Sequence, residues 1–312
     1  MSKSAKEMPT VIIPYPGLGE DLHCRDYFVY LRPETNGVLV ESTLLKIIER
    51  NPSYKSCITI VYLANIPGDF ILDRRIVENH YSYKLPFARK GKVLFTKSMQ
   101  MAFTKHFSTS FESAEIMGAF DALARLGLSE EELHGLRVPV EDVLYINCQL
   151  IKKVEDIFIV NYDIPALLHK NNAGTDIAVM VFRSTLESEV FHKMIEEMAN
   201  ALRKIEVLRE GEAVGRAFHF SKGPFEQVLD ARDYLYDAIG NTISLDQTQF
   251  CHFLLQKDID LGLIQKVLSN PIMEFRSPSG EIIERCIFSY TEDDTYNEAY
   301  EKYISKVAQL VL

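Results

Sequence analysis

The chain has 312 residues, 47% of them hydrophobic and 25% charged, with a formal net charge of −10 and a pI near 5.4. A chain of this length buries roughly three quarters of its unfolded surface, so its composition excludes both a disordered polyelectrolyte and a miniature domain that needs staples to fold. The acidic total also excludes indiscriminate coating of nucleic acid and confines any anion binding to a local patch.

Met1–Glu7 lacks the apolar core of a secretion signal. The longest uncharged run, Ser56–Gly68, is 13 residues, which is too short to cross a bilayer, so no membrane partner is expected. Tyr27–Leu31 reads as a strand, and Pro33-Glu34-Thr35-Asn36-Gly37 as the turn after it. A short helix follows, capped by Ser42, with Leu44, Leu45, Ile47 and Ile48 on its apolar face and Asn51-Pro52 as its stop. Ser56–Leu63 is rich in β-branched residues and is expected to be a buried strand.

From Arg74 to His106 the charge reverses. Arg74, Arg75, Lys84, Arg89, Lys90, Lys92, Lys97 and Lys105 stand against Glu78 alone. The pattern predicts a hairpin over residues 80–97: a strand from His80 to Phe87, a turn at Ala88-Arg89-Lys90-Gly91, and a second strand from Lys92 to Thr96. Pro86 would keep the first strand at an edge.

Phe111–Leu126 is predicted as a helix ended by Gly127, and Ser129-Glu130-Glu131-Glu132 as a capping box opening another. Leu136-Arg137-Val138-Pro139 is the expected boundary between an N-terminal region, 1–139, and a C-terminal one, 140–312. Val140–Asn147 and Val154–Asn161 read as neighbouring strands, and Ile177–Phe182 as a strand covered on both faces. Residues 185–208, opened by Ser184 and Glu187, carry the strongest amphipathic pattern: Leu186, Val190, Phe191, Met194, Ile195, Met198, Leu202 and Ile205.

Further on, a helix is predicted from Gly223-Pro224 to Gly240 and another from Ser244. A hairpin turning on Ser277-Pro278-Ser279-Gly280 precedes a last helix from about Thr295. Together these elements imply a mixed α/β (α+β) protein, a layered mixed β-sheet flanked by amphipathic helices in two sub-domains.

Two candidate sites emerge. In the first, Arg74, Arg75, Lys84, Arg89, Lys90, Lys92 and Lys97 would neutralise phosphates while Tyr81 and Tyr83, on one face of a strand, stack bases. The competing reading of that hairpin makes its aromatics core and its cations a guard against edge aggregation. The second is a small-ligand site drawn from the loop His169, Lys170, Asn171, Asn172, Gly174, Thr175 and Asp176 and from the helix entry at His219 and Lys222. An ordinary turn and an ordinary helix start explain the same residues.

Gly17-Leu18-Gly19 has Leu22 where a dinucleotide fingerprint needs glycine, and neither a phosphate-loop nor a serine-hydrolase motif occurs. The eight histidines show no His-x-His or His-x3-His spacing, so neither a local metal site nor a cofactor is expected, and no catalytic residue is assigned. Cys24, Cys57, Cys148, Cys251 and Cys286 are odd in number and scattered, the pattern of unpaired thiols in a cytoplasmic protein.

The function expected on these grounds is a regulator or adaptor that engages an anionic partner, nucleic acid first. The alternatives are an enzyme acting on a phosphorylated or carboxylated small molecule, and a homo-oligomer whose basic hairpin meets the acidic stretch from Glu112 to Asp142.

Overall fold

The computed structural model describes residues 7–19 and 24–311. Its strands are β1 (Thr10–Ile13), β2 (Arg25–Leu31), β3 (Ile58–Ile66), β4 (Glu115–Gly118), β5 (Val143–Ile146) and β6 (Gln149–Val154). They continue with β7 (Ile157–Val160), β8 (Ile177–Ser184), β9 (Phe218–Phe220), β10 (Ile272–Arg276), β11 (Ile282–Cys286) and β12 (Lys306–Gln309). The protein is mixed α/β, as expected, and forms two compact units, each woven from three segments. The first comprises Met1–Ile76, Asn171–Gln265 and Thr291–Glu301; the second comprises Val77–Lys170, Lys266–Tyr290 and Lys302–Leu312. The chain thus crosses between units repeatedly, and the predicted cut near Pro139 falls inside the second.

In the first unit a five-stranded sheet runs β1-β3-β8-β2-β9, with every pairing antiparallel. Alternation along β2 explains its burial. Tyr27, Val29 and Leu31 join Leu44 and Ile48 of the helix Val38–Arg50, and Phe191, Met194 and Met198 of the helix Ser188–Lys204, in one core. On the opposite face Tyr30 stacks on Tyr234 of the helix Pro224–Tyr234, with ring centroids 4.4 Å apart. Both faces are covered, which is why β2 and β8 read as continuous apolar runs.

The second unit holds a four-stranded sheet, β4-β7-β6-β5, in which β4 and β7 are parallel, and a three-stranded antiparallel sheet, β11-β10-β12. The β10–β11 hairpin turns where Ser277–Gly280 predicted it. The Ser129 capping box is also present: Ser129 N–H donates to Glu132 Oε2 at 2.8 Å, and Glu132 N–H donates to Ser129 Oγ at 3.3 Å.

The predicted basic hairpin is not a hairpin. Residues 76–107 are helical, in the pieces Ile76–His80, Leu85–Lys90, a 3-10 turn at Gly91–Leu94, and Lys97–Phe107. Pro86 sits in the first turn of its helix, where its missing N–H costs nothing, and Thr96 caps the last helix by accepting Met99 N–H at 3.1 Å. Phe87, Phe95 and Phe103 are buried, so aromatic residues that suggest a strand by propensity are core residues, Phe87 and Phe103 within helices and Phe95 just after the 3-10 turn. Gly91, at φ +56°, and Gly118 let the Leu85–Lys90 helix lie against β4, since a Cβ on Gly118 would overlap the Ala88 carbonyl.

Smaller corrections follow from capping. The helix Val38–Arg50 begins four residues before Ser42, whose hydroxyl bonds back to the Leu39 carbonyl. Ser184 ends β8 instead of capping a helix, and the predicted 185–208 helix spans Ser188–Lys204. The expected 111–126 helix is β4 followed by the helix Ala119–Leu126, and the helix expected to run to Gly240 stops at Tyr234. β6, between the two predicted neighbours, and β12 were not anticipated.

Five unpaired thiols were also expected, but Cys148 and Cys286 form a disulfide, with Cα atoms 5.9 Å apart, while Cys24, Cys57 and Cys251 remain thiols. The bridge removes the thiol argument for a cytoplasmic location. Among the described residues no helix is long and apolar enough to cross a membrane.

Candidate anion-binding surface

The helical reading sorts the eight cations into those engaged internally and those that face solvent. Lys84 is buried, its Nζ 3.5 Å from Asp163 Oδ2 and 5.9 Å from the Tyr81 ring centroid, and Tyr81 itself is buried. Tyr83 packs against Phe288. Tyr81 and Tyr83 therefore form no stacking face on a strand. Arg74 and Arg75 belong to the first unit. Arg74 lines a cavity of about 660 Å³ beside Glu7, Asp69 and Asp73, donates to the Gly240 carbonyl and lies over the Phe70 ring. Three carboxylates around one guanidinium repel an anion there.

What persists is a basic stretch of the second unit, continuous in sequence and free of acids. Asn79–Phe111 contains no Asp or Glu. Within it Arg89, Lys90, Lys97 and Lys105 are exposed, and none of the four forms an ion pair among the described residues. Arg89 is steadied by the Phe120 ring at 5.9 Å. Lys92 is half-buried and donates to the carbonyls of Glu112 and Ala114. Lys97, Met101 and Lys105 follow at four-residue spacing, so they share one face of their helix. From Lys97 to Lys105 the helix rises about 12 Å, the span of three to four phosphates along one strand at about 3.4 Å each. Val93 and Met101 lie exposed among these cations, at 79% and 73%. Lys105 counts among the eight cations of the basic stretch but not, any more than Met101, among the candidate site residues, and the fourfold spacing that marks the two has meaning only once the segment is helical.

The predicted small-ligand residues are divided between the two units. His169 and Lys170 close a helix of the second unit, where Lys170 pairs with Glu131 at 3.4 Å. Asn171–Asp176, His219 and Lys222 belong to the first unit. There Asn172 Oδ1 accepts Gly174 N–H at 3.0 Å, and Thr175 Oγ1 accepts Asn172 N–H at 2.9 Å. Asp176 accepts from Asn65 Nδ2 at 2.8 Å and Gly68 N at 3.3 Å. These are the bonds of a turn packed on a helix start, and they occupy the groups a ligand would need.

The entry to the helix Pro224–Tyr234 is acidic. Glu226 Oε2 already accepts Lys222 N–H at 2.7 Å, Lys222 Nζ pairs with Glu292 at 3.3 Å, and His219 Nε2 lies 3.2 Å from Asp230 and 3.9 Å from Glu226. An anionic ligand would displace a carboxylate already seated at the helix dipole. Burial pushes the Glu226 carboxyl above its ordinary value, and His219 only partly offsets this. The folded state thus favours the protonated form, so this contribution to stability is complete below the unfolded pKa and is lost as pH rises through the raised folded value. Glu226→Gln should abolish that decline, and urea midpoints between about pH 4 and 8 would show it; parallel curves for the two proteins would contradict it.

Among the described residues no group of three or more His, Cys, Asp or Glu side chains is placed to hold a metal. The chain matches no protein-family model, no curated protein and no solved structure.

Proposed function

We propose that this protein binds a polyanion, nucleic acid in the first instance, through the helical surface of its second unit and acts as a binding or regulatory protein. The supporting observation is the acid-free stretch Asn79–Phe111, on which Arg89, Lys90, Lys97 and Lys105 stay exposed and unpaired among the described residues of a chain with a net charge of −10. Like charges gathered this way repel one another, and a phosphate backbone relieves that repulsion while releasing its own counterions. Val93 and Met101 add apolar contacts between the charges.

The test is fluorescence anisotropy of labelled single- and double-stranded oligonucleotides against salt, for wild type and for Lys90→Glu/Lys97→Glu/Lys105→Glu. Three lost phosphate contacts should flatten the log–log salt slope by about 2.7 for duplex, or about 2.1 for single strands. All three side chains are exposed, so the variant should keep its fold. Equal, weak binding by both proteins would end the proposal.

A further inference from the structure

The hairpin β5–β6 turns on two residues, Asn147 at φ +48° and Cys148 at φ +64°. Two-residue loops with positive φ at both positions take Asn-Gly, because a Cβ at the second position is strained. Here that position is a cysteine, 2% exposed and bridged to Cys286, the last residue of β11. Two residues earlier on β11, Glu284 Oε1 accepts from Asn147 Nδ2 at 2.6 Å and from the Thr96 hydroxyl at 2.7 Å. Thr96 in turn caps the helix Lys97–Phe107. One connected chain of contacts therefore runs from the disulfide, through a strained turn and a shared carboxylate, to the start of the helix that carries Lys97, Met101 and Lys105.

We infer that the Cys148–Cys286 bridge is a thiol-sensitive latch that orders this helix, so that its redox state regulates the polyanion-binding surface; the regulatory part rests on the function proposed above. Reduction by a dithiol proceeds by thiolate attack on one sulfur, cleavage of the S–S bond and resolution of the mixed disulfide by the second thiol. Two electrons and two protons pass to Cys148 and Cys286, and the reductant leaves as its own disulfide. Without the cross-link, Cys148 is no longer held at positive φ. The turn relaxes, Asn147 and Glu284 part, and Thr96 loses the acceptor that orients its hydroxyl for capping.

The experiment uses the full chain, oxidised and dithiothreitol-reduced, beside Cys148→Gly/Cys286→Ser, which supplies the residue the turn prefers and lacks the bridge. Alkylation of unfolded protein should count three free thiols before reduction and five after. Amides of residues 99–101 should lose hydrogen-exchange protection on reduction in wild type, and show no redox response in the variant. Oligonucleotide affinity should fall in parallel. Five free thiols in the unreduced protein, or unchanged exchange at 99–101 on reduction, would overturn the latch. Changed exchange with no oligonucleotide binding in either state would uphold the ordering of the helix and overturn its link to binding, and with it the reading of the surface.

Discussion

Replacing Arg183 with Met should destabilise the protein by about 3–5 kcal/mol, the range expected when one partner of a buried ion pair is removed. Asp26 on β2 and Arg183 on β8 are cross-strand neighbours. The guanidinium grips the carboxylate with two bonds, Nε to Oδ1 and Nη2 to Oδ2, both 2.8 Å. Tyr15 donates to Asp26 Oδ2 at 2.6 Å, and Arg183 Nη2 also reaches the Gly17 carbonyl at 2.8 Å. Burial alone would lower the pKa of Arg183, but the hydrogen bond and charge of Asp26 raise it further than burial lowers it. Burial raises the Tyr15 hydroxyl, and Asp26 raises it further, so Tyr15 serves as a fixed donor. Without Arg183, Asp26 keeps one donor and a desolvated charge. A double-mutant cycle by urea denaturation with Asp26→Asn checks this. The pair should couple by more than about 1 kcal/mol, with the double variant less damaged than the sum of the singles. Singles within about 0.5 kcal/mol of wild type, the size of an ordinary surface substitution, would show that the pair is dispensable.

Removing the disulfide should cost a comparable amount. The bridge spans 138 residues of sequence, for which the loop-entropy relation gives about 5 kcal/mol, with measured losses for native bridges of about 2–5 kcal/mol. Position 148 separates the loop term from the turn term. Cys148→Gly/Cys286→Ser suits the positive φ, whereas Cys148→Ala/Cys286→Ser does not, so the alanine variant should be less stable by about another 1 kcal/mol. Urea titration monitored by hydrogen exchange in β6 and β7 reads both. Equal stability of the two variants would mean that the turn carries no strain.

The legibility of this fold divides along periodicity. β2 and β8 were legible because a strand covered on both faces is an uninterrupted β-branched and aromatic run, β3 because it is rich in β-branched residues, and the helix Ser188–Lys204 because its stripe repeats over four turns. Residues 80–97 were misread because they alternate aromatics with cations, which fits a half-exposed strand. In the structure Phe87 lies in the six-residue helix Leu85–Lys90 and Phe95 just after the four-residue 3-10 turn Gly91–Leu94, pieces too short for an apolar stripe to repeat. β4 was hidden for the opposite reason: four residues beside a helix extend its pattern.

The charge reversal of the candidate site was legible, but its residues were not all correct. Charge is a property of composition, whereas burial of Lys84 depends on Asp163, 79 residues away. The Cys148–Cys286 pairing was invisible because no local spacing marks a bridge between residues 138 apart.

The most direct measurement is lysine footprinting by amine acetylation and mass spectrometry, with and without a saturating oligonucleotide at low salt. Lys90, Lys97 and Lys105 should be protected together, with protection lost at high salt as counterions compete. Lys193 and Lys204, on a helix of the first unit, should label equally in both states. Unchanged labelling of Lys90, Lys97 and Lys105 beside protection elsewhere would contradict the assignment of this surface.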